Sequence, residues 1–149
     1  TWTTLAPNAV YRGYHATALL LPDGRVLSTG GDNVAANAEV YSPPYLFKGA
    51  RPTMTSAPTT VNYGQTFVVA TPDAASITQV TWIPFTSVTH TNSMGQRFNR
   101  LSFTPTTGGL QVTVPANPNL APPGYYMLFI VNNSGVPAVA RTLRLNVQP

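Results

Sequence analysis

The chain reads as an all-β protein, and three observations carry that reading. Fifteen prolines and eleven glycines recur every few residues among the 149, which leaves little room for helices. No segment sustains an apolar period of 3.6 residues. Between the turn residues lie short runs of β-branched and aromatic side chains, the composition that suits a pleated, half-buried surface.

Taken in order, the first strands are expected at Ala16–Leu21, Arg25–Thr29 and Ala38–Tyr41. Pro22-Asp23-Gly24 supplies a hairpin turn between the first two, and Gly30-Gly31-Asp32-Asn33 leads toward the third. This unit, from His15 to Pro43, reads like a single kelch-type repeat, a partial propeller blade. One blade cannot bury both of its faces, and nothing else in the chain repeats the pattern. Either the unit folds onto the rest of the chain, or it completes a propeller supplied by another polypeptide. The second is the expectation.

A composition break runs from Ser42-Pro43-Pro44-Tyr45 to Gly49-Ala50-Arg51-Pro52 and divides a terminal propeller segment, 1–48, from a second domain, 49–149. There, strands are expected at Thr66–Ala70, Gln79–Ile83, Leu101–Thr104, Leu110–Val114, Tyr125–Asn132 and Ala140–Val147. Gly108-Gly109, Pro122-Pro123-Gly124 and Asn133-Ser134-Gly135 punctuate them. Roughly 100 residues with about seven strands are the size of an immunoglobulin-like β-sandwich. The apolar run Tyr125-Tyr126-Met127-Leu128-Phe129 marks a central strand of its core.

Composition excludes several functions. Hydrophobic residues make up 43% and charged ones only 8%, against about 25% charged in a typical domain. The surface must then be Thr, Ser, Asn and Gln, as in many secreted β-proteins, and secretion is the expectation. The net charge is +4, but the basic residues are scattered rather than gathered in a stripe, so nucleic acid is not an expected partner. No apolar run approaches the ~20 residues that span a bilayer, so no membrane span is expected. Opening on Thr1 rather than Met is expected of a processed or truncated product. Cysteine is absent, which removes disulfides and thiolate metal sites from this chain.

The chemistry concentrates on the only two histidines, His15 and His90. Imidazole is the commonest metal ligand and suits copper. Tyr14 stands directly before His15. Neighbours on a flat strand face opposite ways, so Tyr14 and His15 can share a metal only at a distorted strand end, with Arg12-Gly13 supplying the freedom. Asp23-Gly24 is a turn rather than a catalytic carboxylate, and Gly30-Gly31 lacks the spacing and helix of a phosphate loop. Asn132-Asn133-Ser134 matches a glycosylation sequon.

Tyr14-His15-Ala16-Thr17-Ala18-Leu19-Leu20-Leu21-Pro22-Asp23-Gly24-Arg25-Val26 resembles the last propeller segment of the galactose oxidase and glyoxal oxidase family, the copper radical oxidases. Pro122-Pro123-Gly124-Tyr125-Tyr126-Met127-Leu128-Phe129, followed by Asn132, Gly135-Val136-Pro137 and Val139-Ala140, is similar to the end of that family's C-terminal immunoglobulin-like (early-set) domain. Thr89-His90-Thr91, with Gln96-Arg97, falls where the family places a histidine ligand. The resemblance runs in the right order over nearly the whole chain.

It implies that His15 and His90 are copper ligands and Tyr14 an axial ligand able to act as a base. It also implies that the loop of His90 reaches up the propeller's central channel. The implied reaction is oxidation of a primary alcohol, an aldehyde or a sugar by O2, releasing hydrogen peroxide. The family's radical cofactor is a tyrosine joined to a cysteine, and its stacking indole matches neither Trp2 nor Trp82. An N-terminal propeller polypeptide is the expected partner that carries both. The competing expectation is a non-catalytic adhesion or carbohydrate-binding module whose histidines are relics.

Overall fold

The computed structural model describes residues 2–33, 36–90 and 92–147. Thr91 of the second histidine segment lies outside the described residues.

The turn chemistry around Pro22 and Gly30 yields an antiparallel meander of β1 (Ala16–Leu20), β2 (Val26–Gly30) and β3 (Ala38–Tyr41). Gly24 takes a φ of 80° at the first turn, where its N–H donates to the Leu21 carbonyl. A 3-10 turn at Pro44–Phe47 ends the meander. Then come β4 (Thr60–Val61), β5 (Thr66–Ala70), β6 (Ile77–Pro84), β7 (Val88–Thr89) and β8 (Asn92–Ser93). The last strands are β9 (Asn99–Leu101), β10 (Phe103–Thr106), β11 (Gly109–Thr113), β12 (Gly124–Asn132) and β13 (Arg141–Leu145).

Two sheets, β10-β11-β5 and β4-β13-β12-β6-β9, pack as a sandwich, and β7-β8 forms a separate hairpin. Among the described residues every strand pairing is antiparallel except β13 with β4. Between the sheets lie Val61, Val69, Leu110, Val112, Leu128, Ile130, Leu143 and Leu145, all at most 1% exposed. Trp82 and Tyr126 stack there with ring centroids 4.7 Å apart. Trp82 Nε1 donates to Asn99 Oδ1 at 3.1 Å and Tyr126 Oη to the Pro122 carbonyl at 2.5 Å, so neither aromatic buries an unpaired polar atom.

The run expected as one strand over Leu101–Thr104 is two. Leu101 and Phe103 both point into the core, yet β9 belongs to one sheet and β10 to the other. The chain changes sheets at Ser102, whose carbonyl accepts the Thr113 N–H at 2.9 Å. Pro105 is tolerated in β10 because that strand is an edge.

The apolar run in β12 is explained by burial on both faces. Tyr126, Leu128 and Ile130 face the core, whereas Met127 and Phe129 face outward yet are buried. Phe129 shares an apolar groove with Leu20, Gly24 and Tyr45 of the meander region. Tyr125, expected in the core, is 57% exposed, because it sits on the outer face at the start of the strand, away from that groove.

The meander touches the sandwich. The Ala140 N–H donates to the Pro22 carbonyl at 2.8 Å, while the Tyr45 hydroxyl ties the 3-10 turn back to the meander at the Gly24 carbonyl. The sequon asparagine is engaged structurally. Asn132 Oδ1 accepts the Ser134 and Val136 N–H groups and Nδ2 donates to the Ala50 carbonyl. No helix among the described residues is long and apolar enough to cross a membrane.

Candidate metal centre

Tyr14 and His15 occupy a turn immediately before β1, closed by the Ala16 N–H donating to the Gly13 carbonyl at 3.2 Å. The distortion expected at this strand end is present, but Gly13 does not supply it. His15 itself takes a left-handed φ of 63°, a conformation that non-glycine residues hold only where surroundings enforce it.

The surroundings are the turn after β2. Gly31 N–H donates to the His15 carbonyl at 3.2 Å and Asp32 N–H to the Tyr14 carbonyl at 3.0 Å. A Cβ on Gly30 would lie 2.8 Å from the His15 carbonyl oxygen, so only glycine lets the two turns approach this closely.

Arg12, expected to lend freedom, is instead an anchor. Its side chain is 2% exposed, ion-pairs with Glu39 at 3.3 Å, and donates to the Gly30 carbonyl at 3.0 Å and to Asn37 Oδ1. Hydrogen bonds from the Ala9 N–H, above all, and then from Val10 and Arg12 hold the Glu39 carboxyl below its ordinary pKa.

His90 arrives from the sandwich on the β7–β8 hairpin, where Thr89 pairs with Asn92. Its φ is 51°. Positive φ is native to two-residue hairpin turns. Thr89 Oγ1 lies 2.7 Å from His90 Nδ1, and Asn92 Nδ2 donates to the His90 carbonyl at 3.2 Å. At the hairpin's base, Thr86 Oγ1 accepts the Gly95 N–H at 2.7 Å.

The three residues singled out from sequence are brought together. Ring centroids lie 4.0 Å apart for Tyr14–His15, 4.8 Å for His15–His90 and 5.4 Å for Tyr14–His90. Tyr14 is 60% exposed, so the cluster opens to solvent. Two imidazoles and a phenol form a borderline donor set suited to Cu(II). Among the described residues no group of three or more His, Cys, Asp and Glu is placed to hold a metal ion, so the phenol is needed for a third ligand from this chain.

Sequence reading missed Asp32, whose Oδ1 lies 2.7 Å from His15 Nδ1. Hairpin arithmetic would have found it. With Pro22-Asp23-Gly24 as the turn, Ala16 pairs with Gly30, and one step beyond the strand end His15 comes opposite Gly31, beside Asp32.

Against known proteins, the family model of the galactose oxidase-like early set domain matches residues 51–145. The chain belongs to this galactose oxidase-like family. Galactose oxidase of Gibberella zeae (strain PH-1) is 37% identical over 152 residues, which cover 93% of this chain and 22% of that protein. Aldehyde oxidase GLOX of Vitis pseudoreticulata is 39% identical over 167 residues, covering 95% and 31% respectively. A fungal alcohol oxidase of the AA5 family, solved in complex with copper, superposes with a TM-score of 0.88 at 33% identity, covering 99% of this chain and 34% of that one. The galactose oxidase-like chain thus spans between 22% and 34% of the length of these relatives.

Proposed function

We propose that this chain is the C-terminal part of a secreted copper radical oxidase, and that Tyr14, His15 and His90 are its copper ligands. The observation that carries the reading is the convergence of these three rings from the meander and from the sandwich hairpin.

In this reading Tyr14, His15 and His90 would hold a copper that, with a Tyr–Cys cofactor on an N-terminal propeller portion, would supply two one-electron oxidations. One primary alcohol and one O2 then become one aldehyde and one hydrogen peroxide. The chain's own part is to hold the two imidazoles in place and to let the Tyr14 phenol take the substrate's hydroxyl proton. Sugars, aldehydes and simple primary alcohols are the substrate classes. The low charge of the surface, 8% of residues, supports secretion.

The need for a propeller partner is supported by exposed aromatic and sulfur side chains, among them Trp2, Tyr11 (85%), Phe47 (76%) and Met94 (67%). A cooperatively melting monomer of this chain alone would count against it.

The test uses the chain joined to its propeller portion. His15→Ala or His90→Ala removes one of two nitrogen donors and should abolish copper loading and peroxide release. Tyr14→Phe should keep much of the copper while slowing turnover by about 10²–10⁴-fold, the usual worth of a positioned base. Full copper and full activity in His90→Ala would leave the sandwich as an adhesion or carbohydrate-binding module.

A further inference from the structure

We infer that Asp32 is a positioning residue for the metal centre: by accepting the Nδ1 proton of His15, it fixes the imidazole tautomer and ring orientation that present Nε2 to copper. The inference rests on the copper reading above.

The first support is geometric. Asp32 Oδ1 and His15 Nδ1 are 2.7 Å apart, a charge-assisted distance. A carboxylate oxygen is only an acceptor, so the proton lies on Nδ1 and the lone pair on Nε2. Histidine ligands commonly have such an acceptor behind them, which sets the ring and raises its basicity.

The second support is that Asp32 is held independently of its own side chain. Its N–H donates to the Tyr14 carbonyl, the Gly31 N–H donates to the His15 carbonyl, and Arg12 ties the Gly30 carbonyl. The carboxylate is therefore placed by backbone that also shapes the Tyr14–His15 turn.

The third concerns magnitude. The two side chains are 47% and 50% exposed, and ion pairs this open to water contribute little to fold stability. Orientation of the ring is the role that fits. At His90 the corresponding nitrogen lies 2.7 Å from the Thr89 hydroxyl oxygen.

The experiment uses the chain with its propeller portion and reads two quantities. Two-bond ¹H–¹⁵N correlation in the copper-free protein reports the His15 tautomer. Titration with Cu(II) against a competing chelator, together with the Cu(II) EPR spectrum, reports the ligand field. The unsubstituted protein should show the Nδ1–H tautomer. Asp32→Ala should lose that tautomer, bind copper about 10- to 100-fold more weakly and change the EPR spectrum. Asp32→Asn, whose amide NH2 can donate to Nδ1, should lose the Nδ1–H tautomer as well.

An Nε2–H tautomer in the unsubstituted protein overturns the inference whether or not the variants fold. So does Asp32→Ala with unchanged tautomer, affinity and EPR spectrum. Failure of the unsubstituted protein to bind Cu(II) overturns the copper reading instead, and the tautomer measurement still decides what Asp32 does to His15.

Discussion

His15 and His90 share a side chain and a left-handed backbone, with φ of 63° and 51°, yet they are held in opposite ways. His15 is clamped from behind by a second turn, with its carbonyl, its imidazole and the preceding carbonyl all engaged by Gly31 and Asp32. His90 rides on a hairpin of two-residue strands that lies against β1 and is tied by Thr89, Asn92 and the Thr86–Gly95 bond at its base. A non-glycine residue at positive φ costs on the order of 1–3 kcal/mol. In the meander, neighbouring backbone offsets that cost. In the hairpin, the turn geometry itself favours the conformation. One histidine is thus built into a rigid wall, and the other is delivered to it.

That contrast makes the meander side the more sensitive to substitution outside Tyr14, His15 and His90. Gly30→Ala should have the largest effect. It combines φ of 72° with a Cβ 2.8 Å from the His15 carbonyl oxygen, and a strained, clashing site of this kind costs roughly 3 kcal/mol. A lowered melting temperature together with weakened copper binding would show it.

Arg12→Ala should follow, at about 2 kcal/mol, since it removes a buried charged hydrogen-bond donor from Glu39, Asn37 and Gly30. Denaturant unfolding checks it, and an Arg12→Ala protein as stable as the parent would remove the anchor from the account.

On the hairpin side Thr89→Val should do less. Losing one neutral hydrogen bond at His90 Nδ1, about 1 kcal/mol, should weaken copper roughly fivefold and leave the melting temperature nearly unchanged. A larger loss than Gly30→Ala would reverse the comparison.

Acid should have the smallest effect. Because the Glu39 carboxyl titrates below its ordinary value in the folded chain, its contribution is complete above the unfolded pKa of about 4.3 and is lost as pH falls through the lower folded value. Between pH 7 and 5 the 9–12 segment should stay latched. Below pH 4 its amide exchange should quicken, and Glu39→Gln should abolish that pH dependence.

Much of this was legible in the sequence because the governing signals are local. Turn residues and strand formers located the meander, and Tyr14, His15 and His90 were singled out before any contact was known. What escaped depends on pairing between distant segments. β4 has two residues and exists only because β13 runs beside it. β9 and β10 look like one strand, because Leu101 and Phe103 alternate correctly for either sheet. Arg12 looked like a hinge because its burial depends on Glu39 and Gly30, far away in sequence. Asp32 lay within reach of local reasoning, through the hairpin register.

The β13–β4 pairing also bears on the order in which the chain is made. Arg144 and Leu145 close against Thr60 and Val61, and the Arg144 N–H donates to the Thr59 carbonyl at 2.8 Å. A ribosome emits Thr60 long before Arg144. Until the last strand emerges, β12 lacks one neighbour, and Leu143 and Leu145 are missing from the core they help to fill. Such non-local closure folds slowly. The His90 hairpin hangs from a sandwich that closes only once β13 has been made, so the Tyr14–His15–His90 cluster depends on a pairing 84 residues apart in sequence.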